Sequence, residues 1–434
     1  MAAAAVLRAG GTVVAPLGIV DGVDARLSRP AIADLGRQAG IQLSPDLPIA
    51  AQGTTYGGGS SAAQLTRMDV GPNWSPSAGQ GVGVALIDTG VTNVPGIDPS
   101  HLVAGPDFSG EGTTADGYGH GTFMAGLIVG NGVGGSQGVP GVVPGATVVS
   151  VKVADSQGRT TLGQVIQGIG WAVENAQTFN IRVMSISLGA SMPMNPNGNP
   201  LDAAVEAAWG AGIAVVAAAG NAGPGMVDSP GDAPLIITSG SETTSGPVAM
   251  PDWSSYSGTQ PDVLAPGVSV ESLRDPGSVI DQQNPTARVG DSYFLGTGTS
   301  MSTALTAGAA ALIVADNPTA TPNQVKQALV QTAGRALVGH AGPVDVAAAD
   351  GTAATLAPGN GARPGRSASA PAGLGNGFGP PATNTVRWDT VRWDTVRWDT
   401  VRWDTIRWDT IRWDTIRWDT IRWDTMRWED EGWG

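Results

Sequence analysis

The chain has 434 residues, 41% of them hydrophobic, with 23 basic against 37 acidic side chains and a formal net charge of −14. It has only two lysines, Lys152 and Lys326, and no cysteine, which excludes disulfides, thiolate metal sites and a cysteine nucleophile and disfavours nucleic acid as a partner. No apolar run reaches the roughly 18 residues needed to span a bilayer, and aromatic residues are only 5% of the chain, so the core must be built from Ala, Val, Ile and Leu.

In chain order, residues 1–7 are small and apolar, but no basic region precedes them, so they do not read as a signal peptide. Residues 12–17 and 22–27 read as strands, 29–39 as a short helix and 41–43 as a further strand. Gly57-Gly58-Gly59-Ser60-Ser61 reads as a joint. Between 65 and 350, short apolar runs at 81–87, 147–153, 182–188, 213–219 and 235–238 suit strands buried on both faces. Helical patterns at 162–176 and 201–209 lie between them. This alternation predicts an α/β fold, a mostly parallel central sheet between two helix layers. The Ala-rich stretch 302–315 is apolar nearly all round, as a buried helix is. A last helix begins with Thr321 as its cap and Pro322 in its first turn.

Residues 351–384 hold few large apolar side chains and read as a linker. Residues 385–434 carry a pentapeptide repeat of the form Val/Ile/Met-Arg-Trp-Asp/Glu-Thr/Asp. A residue recurring every five positions drifts about 140° per repeat on a helix, so the tryptophans form no simple stripe. Nine Arg against eleven acids leave the tail near neutral. It reads as a stacked repeat, as a sticky tail for cell-wall glycan or protein, or as a spacer without a ligand.

Four motifs carry chemistry. Asp88-Thr89-Gly90 follows a buried strand; alone it is ordinary turn chemistry, or half of an aspartic protease dyad, which would require a homodimer. His120 sits in Gly119-His120-Gly121-Thr122, just before an apolar helical stretch, unlike His101 and His340. Ser300, in Gly298-Thr299-Ser300-Met301, opens the Ala-rich helix, where the dipole and unpaired amides favour developing negative charge. Alone it reads as a cap. Asn221 ends the run Ala217-Ala218-Ala219-Gly220 and offers an amide donor for an oxyanion. Together these supply a nucleophile, a base, an orienting carboxylate and an oxyanion donor, in the order Asp, His, Ser.

On these motifs residues 65–350 resemble the subtilase (subtilisin-like) serine protease family, and they add Ser187-Leu188-Gly189 and Asp262-Val263-Leu264-Ala265-Pro266-Gly267. The chain departs from the family at Phe123, Ala304 and Leu305, where it usually has His, Pro and His. The resemblance implies a subtilisin-like three-layer fold and a serine endopeptidase made as a secreted zymogen. Asp88, His120 and Ser300 would be its triad, and Asn221 would hold the oxyanion. Substrate would pair with Ser187, Leu188 and Gly189. Ala217, Ala218, Ala219 and Gly220 would wall a roomy apolar first specificity pocket of broad specificity. Residues 1–55 resemble part of a propeptide, acting as intramolecular inhibitor and cut within 47–65. The family implies an extracellular or cell-surface location, with a secretion signal lost through a late start site. Calcium is implied by the resemblance alone, with no residue assigned to it. A binding or scaffold protein that displays the tail is the competing reading.

Overall fold

The computed structural model describes residues 2–38, 40–51, 55–56, 63–70, 74–132, 138–190, 199–339, 341–353 and 355–356. The Gly-Ser joint, most of the linker and the whole repeat tail therefore lie outside the described residues.

Seven strands form the central sheet, all parallel. Their spatial order is Val263–Pro266, Ile237–Glu242, Ala214–Ala218, Ile181–Ile186, Gly83–Asp88, Thr147–Lys152 and Leu102–Asp107. The strands Gly83–Asp88, Ala214–Ala218 and Ile237–Glu242 are buried along their whole length, because helices cover both faces. The predicted three-layer α/β architecture is present. From Gly83–Asp88 the chain goes first to the edge strand Leu102–Asp107, returns to Thr147–Lys152 beside Gly83–Asp88, and then crosses to Ile181–Ile186 on the other side. The order reverses at that pair, and open α/β sheets place their sites beyond the carboxyl ends of strands at such a reversal.

Two helices lie within the core. His120–Val129 is buried along its whole length, and Thr299–Asp316 is buried from Thr299 to Val314. An all-round apolar surface leaves a helix no solvent face. The outer helices are capped as their sequences dictate. Thr161 with Gln164, and Thr321 with Gln324, form capping boxes.

Residues 2–43 form a smaller unit. Helix Ala2–Arg8, which the sequence reading missed, packs with the hairpin Thr12–Leu17/Gly22–Arg26 and helix Arg29–Leu35 on a separate cluster around Ala5, Val6 and Leu35. The predicted helix 29–39 stops at Leu35, with Gly36 as its C-cap. The predicted strand 41–43 is absent. Ile41 and Leu43 instead anchor an extended segment to the small cluster, because no sheet edge lies beside them to supply hydrogen bonds.

Beyond it, Pro48–Ala51 does form a strand. The unit docks on the amino end of helix Leu162–Glu174, where Asp46 Oδ1 accepts from the Gly163 amide at 2.9 Å and the Leu47 carbonyl accepts from the Leu162 amide at 3.0 Å. A carboxylate is favoured there by the helix dipole.

Candidate active site

Asp88 ends the central strand, and His120 is the first residue of its helix. Both are fully buried, and His120 Nδ1 lies 2.8 Å from Asp88 Oδ1. Glycines permit this approach. Gly119 enters the helix at φ +102°, and a Cβ at Gly121 would collide with the Gly90 carbonyl. Thr89 fixes the carboxylate through its amide, 2.8 Å from Asp88 Oδ1. The Thr89 carbonyl in turn accepts from the Lys152 ammonium at 2.6 Å.

A second carboxylate underpins the pair. Asp116 accepts from the amides of Gly119 and Thr122, each at 2.7 Å, and from the hydroxyls of Thr89 and Thr122, each at 2.8 Å. It thereby holds the first turn of the His120 helix. Burial opposes the charged imidazolium, but the charge and hydrogen bond of Asp88, together with Asp116, raise the His120 pKa above its ordinary value. Burial raises the Asp116 pKa as well. Asp116 was visible in the sequence, four residues before His120, but nothing local gave it a role.

Ser300 is fully buried in the first turn of its helix, which begins at Thr299 rather than at the predicted residue 302. Its Oγ donates to the Ser187 carbonyl at 3.4 Å, and the Ser187 hydroxyl donates back to the Ser300 carbonyl at 3.2 Å. The Ser187 hydroxyl also lies 3.8 Å from Met124 Sδ on the His120 helix. The two helix starts meet again at Gly296, where a Cβ would touch both Met301 and Phe123. In this state no hydrogen bond joins Ser300 to His120, whose buried Nε2 has no hydrogen-bond partner among the described residues.

Asn221 lies beside the same helix start. Its Oδ1 accepts from the Thr299 amide at 2.9 Å and the Thr299 hydroxyl at 3.1 Å. The Gly220 amide donates to that hydroxyl at 3.2 Å. Asp88, His120, Ser187, Asn221 and Ser300 are thus drawn to one end of the sheet. Ala217 and Ala218 end the strand beside Ile186, and Ala219 and Gly220 carry it on to Asn221. Phe123, Ala304 and Leu305 are buried core residues.

Leu188–Gly189 forms a short strand, and an antiparallel strand is already paired with it: Leu188 faces Ala51 and Gly189 faces Ala50. The other edge of that strand pairs with Arg159–Thr161. Further on, Thr55–Tyr56 pairs antiparallel with Thr297 and Gly296, just before Ser300. The N-terminal segment therefore pairs first with Leu188–Gly189 and then with Gly296–Thr297, three residues before Ser300. Among the described residues no group of three or more His, Asp or Glu is placed to hold a metal ion, and no helix is long and apolar enough to cross a membrane.

Residues 79–377 match the Subtilase family, peptidase S8. The chain is 38% identical over 275 residues to Serine protease AprX of Bacillus subtilis, covering 59% of this chain and 62% of AprX. It is 36% identical over 256 residues to Subtilisin BL of Lederbergia lenta, covering 59% of this chain and 84% of that protein. With Subtilisin E of Bacillus subtilis the identity is 37% over 270 residues, covering 59% of this chain and 61% of that protein.

Proposed function

Given that the chain belongs to the subtilase family of serine proteases, we propose that it hydrolyses peptide bonds of proteins with Ser300 as nucleophile, His120 as base and Asp88 as orienting carboxylate. The observation that carries this reading is the buried 2.8 Å contact between His120 Nδ1 and Asp88 Oδ1. It leaves Nε2, the other ring nitrogen, to take a proton. The Ser300 hydroxyl rests on the Ser187 carbonyl at 3.4 Å, and catalytic hydrogen bonds often tighten only once substrate is bound.

Ser300 Oγ then attacks the scissile carbonyl, and His120 takes the hydroxyl proton. The imidazolium, stabilised by Asp88, passes that proton to the leaving amine. Water, deprotonated by the same imidazole, releases the acyl group. The Asn221 amide nitrogen and the Ser300 backbone N–H hold the oxyanion. Its oxygen is tied to Thr299, so the amide is oriented before substrate arrives. Hydrolysis of casein by the wild type, with none by Ser300→Ala, is the expected result. Equal hydrolysis by both proteins contradicts the assignment.

We further propose that residues 1–55 act as an intramolecular inhibitor and that the enzyme is made as a zymogen. The pairing of Pro48–Ala51 with Leu188–Gly189 and Arg159–Thr161 supports this reading. A substrate chain would add to the same edges as a strand. The pairing of Ala50 and Ala51 with Leu188–Gly189, and of Thr55–Tyr56 with Gly296–Thr297, supports a cut between Ala51 and Thr55, within the 47–65 range expected from sequence. N-terminal sequencing should find a new terminus there in the wild type and an intact start in Ser300→Ala. Identical termini would refute self-processing. The family reading also puts the mature enzyme outside the cell or at its surface, with protein or peptide substrates. The tail, with cell-wall glycan or protein as its candidate ligand, lies outside the described residues.

A further inference from the structure

The loop between residues 274 and 292 belongs to the serine side of the site but grips the histidine side. Strand Val270–Leu273 pairs antiparallel with Tyr293–Thr297, Val270 opposite Gly296 and Leu273 opposite Tyr293. The second of these strands leads straight into the helix of Ser300. Between them the chain leans on the residues just ahead of His120. The Val279 amide donates to the Gly117 carbonyl and the Ile280 amide to the Tyr118 carbonyl, each at 3.0 Å. A Cβ on Gly119 would collide with the Ser278 side chain. On the helix itself, the Phe123 carbonyl accepts from the Ser272 hydroxyl at 2.6 Å. The loop is braced internally: Asp281 accepts from Arg274 Nε at 2.6 Å, from Arg288 Nε at 2.7 Å and from the Gly277 amide at 2.9 Å.

Asp275 carries this grip into the first turn of the His120 helix. It is buried, and its Oδ2 accepts from the Thr92 hydroxyl at 2.8 Å. That hydroxyl in turn accepts from the Asp116 amide at 3.2 Å, and the Thr92 amide donates to the Thr122 hydroxyl at 3.0 Å. The Thr122 hydroxyl also lies 3.5 Å from Asp275 Oδ2. A hydrogen bond to a charged acceptor is stronger than a neutral one, so the carboxylate fastens Thr92, and with it the turn that holds Asp116 and Thr122. We propose that Asp275 is a positioning residue for the reaction: acting through Thr92, it fixes the start of the His120 helix relative to the strand that delivers Ser300. This rests on the peptidase reading above. The base and the nucleophile stand on separate helices, and a misplacement of about 1 Å between them can cost on the order of 10²-fold in rate. A loop that starts and ends on the serine hairpin and is tied to the histidine helix removes that freedom.

The test measures kcat and KM of the mature enzyme on a quenched casein-derived peptide, per site titrated with a fluorophosphonate. Asp275→Ala should lower kcat about 10-fold with KM unchanged, the pattern of a lost alignment in the transition state. Asp275→Asn keeps an oxygen for the Thr92 hydroxyl and should recover most of that loss. Thr92→Val removes the donor from the other side and should also lower kcat. Combining Thr92→Val with Asp275→Ala should give an enzyme no slower than the slower single variant, since both break one contact. If Asp275→Ala yields no titratable sites, Thr92→Val decides: a lowered kcat supports the inference and a wild-type kcat overturns it. An unchanged kcat in Asp275→Ala, an equal loss in Asp275→Asn, or losses that multiply in the double variant overturns the inference while leaving the peptidase reading in place. No cleavage of casein or its peptide by the mature wild type overturns both.

Discussion

Asp116 Oδ2 accepts two hydrogen bonds from Thr122, one from its amide at 2.7 Å and one from its hydroxyl at 2.8 Å, two residues along the helix from His120. Asp116 also contributes to raising the His120 pKa, so it acts on the base by position and by charge. Asp116→Asn keeps the shape but removes the charge and turns one acceptor into a donor facing N–H groups. We expect a stability loss of about 2 kcal/mol, the scale of a buried charged hydrogen bond. We also expect a roughly 10-fold lower kcat/KM, since a base held off line transfers its proton poorly. The acid limb of the pH profile should move to lower pH. An unmoved limb would leave Asp116 a purely structural role.

The wild-type profile has a required direction. Only neutral His120 accepts a proton, and its pKa is raised from 6.5. Activity should therefore be lost as pH falls, with the midpoint of kcat/KM above 6.5 rather than at or below it. A midpoint well under 6.5 would show that the charges of Asp88 and Asp116 do not outweigh burial.

Lys326 is 1% exposed, and its ammonium is surrounded by the carbonyls of Pro234, Leu235 and Ile236 and by Asp262 Oδ2 at 3.1 Å. Asp262 Oδ2 also accepts from the Thr238 amide at 2.8 Å. Lys326→Met fills the same volume but leaves the carboxylate and three carbonyls facing an apolar chain. Breaking a buried pair by removing one partner costs about 3–5 kcal/mol. Urea unfolding in a Ser300→Ala background, which prevents self-digestion, should show that loss, and a change below about 1 kcal/mol would contradict it.

Glu242 works in the opposite sense. It is fully buried, and neither carboxylate oxygen has a hydrogen-bond partner among the described residues. Burial, only partly offset by the charge of Arg67, raises its pKa from 4.5 to about 7. The folded protein therefore holds a proton that the unfolded chain releases. The stability this gives is fully present below pH 4.5 and is lost as pH rises through about 7. Glu242→Gln should raise Tm at pH 8 and leave it nearly unchanged at pH 4.5. Equal shifts at both pH values would refute the buried, protonated carboxyl.

Much of the site was legible because its parts rest on local backbone rules. The glycines around Asp88, His120 and Ser300 mark close backbone approaches, and the buried strands read directly as apolar runs. What stayed hidden depends on distant partners. The loop at Ser229 is joined to the end of the Leu188–Gly189 strand by the pairing of Ala190 with Ser229, and no pattern near residue 229 announces it. Asp116 gains its role only where the Thr89 turn packs on the His120 helix. The edge strand Leu102–Asp107 was missed because Gly105 and Pro106 interrupt its apolar pattern. Conversely, Ile41 and Leu43 look like strand residues yet serve a separate small core. Pro48–Ala51, which does pair, has nothing to distinguish it until Leu188–Gly189 is beside it.

The central claim is that the Ser300 hydroxyl is made nucleophilic by His120. Treating the mature wild type with a fluorophosphonate, then mapping the adduct by peptide mass spectrometry, tests it most directly. One phosphonyl group on Ser300, with labelling abolished in His120→Ala, is the predicted result. A modified residue other than Ser300, or unchanged labelling without the imidazole, would contradict it.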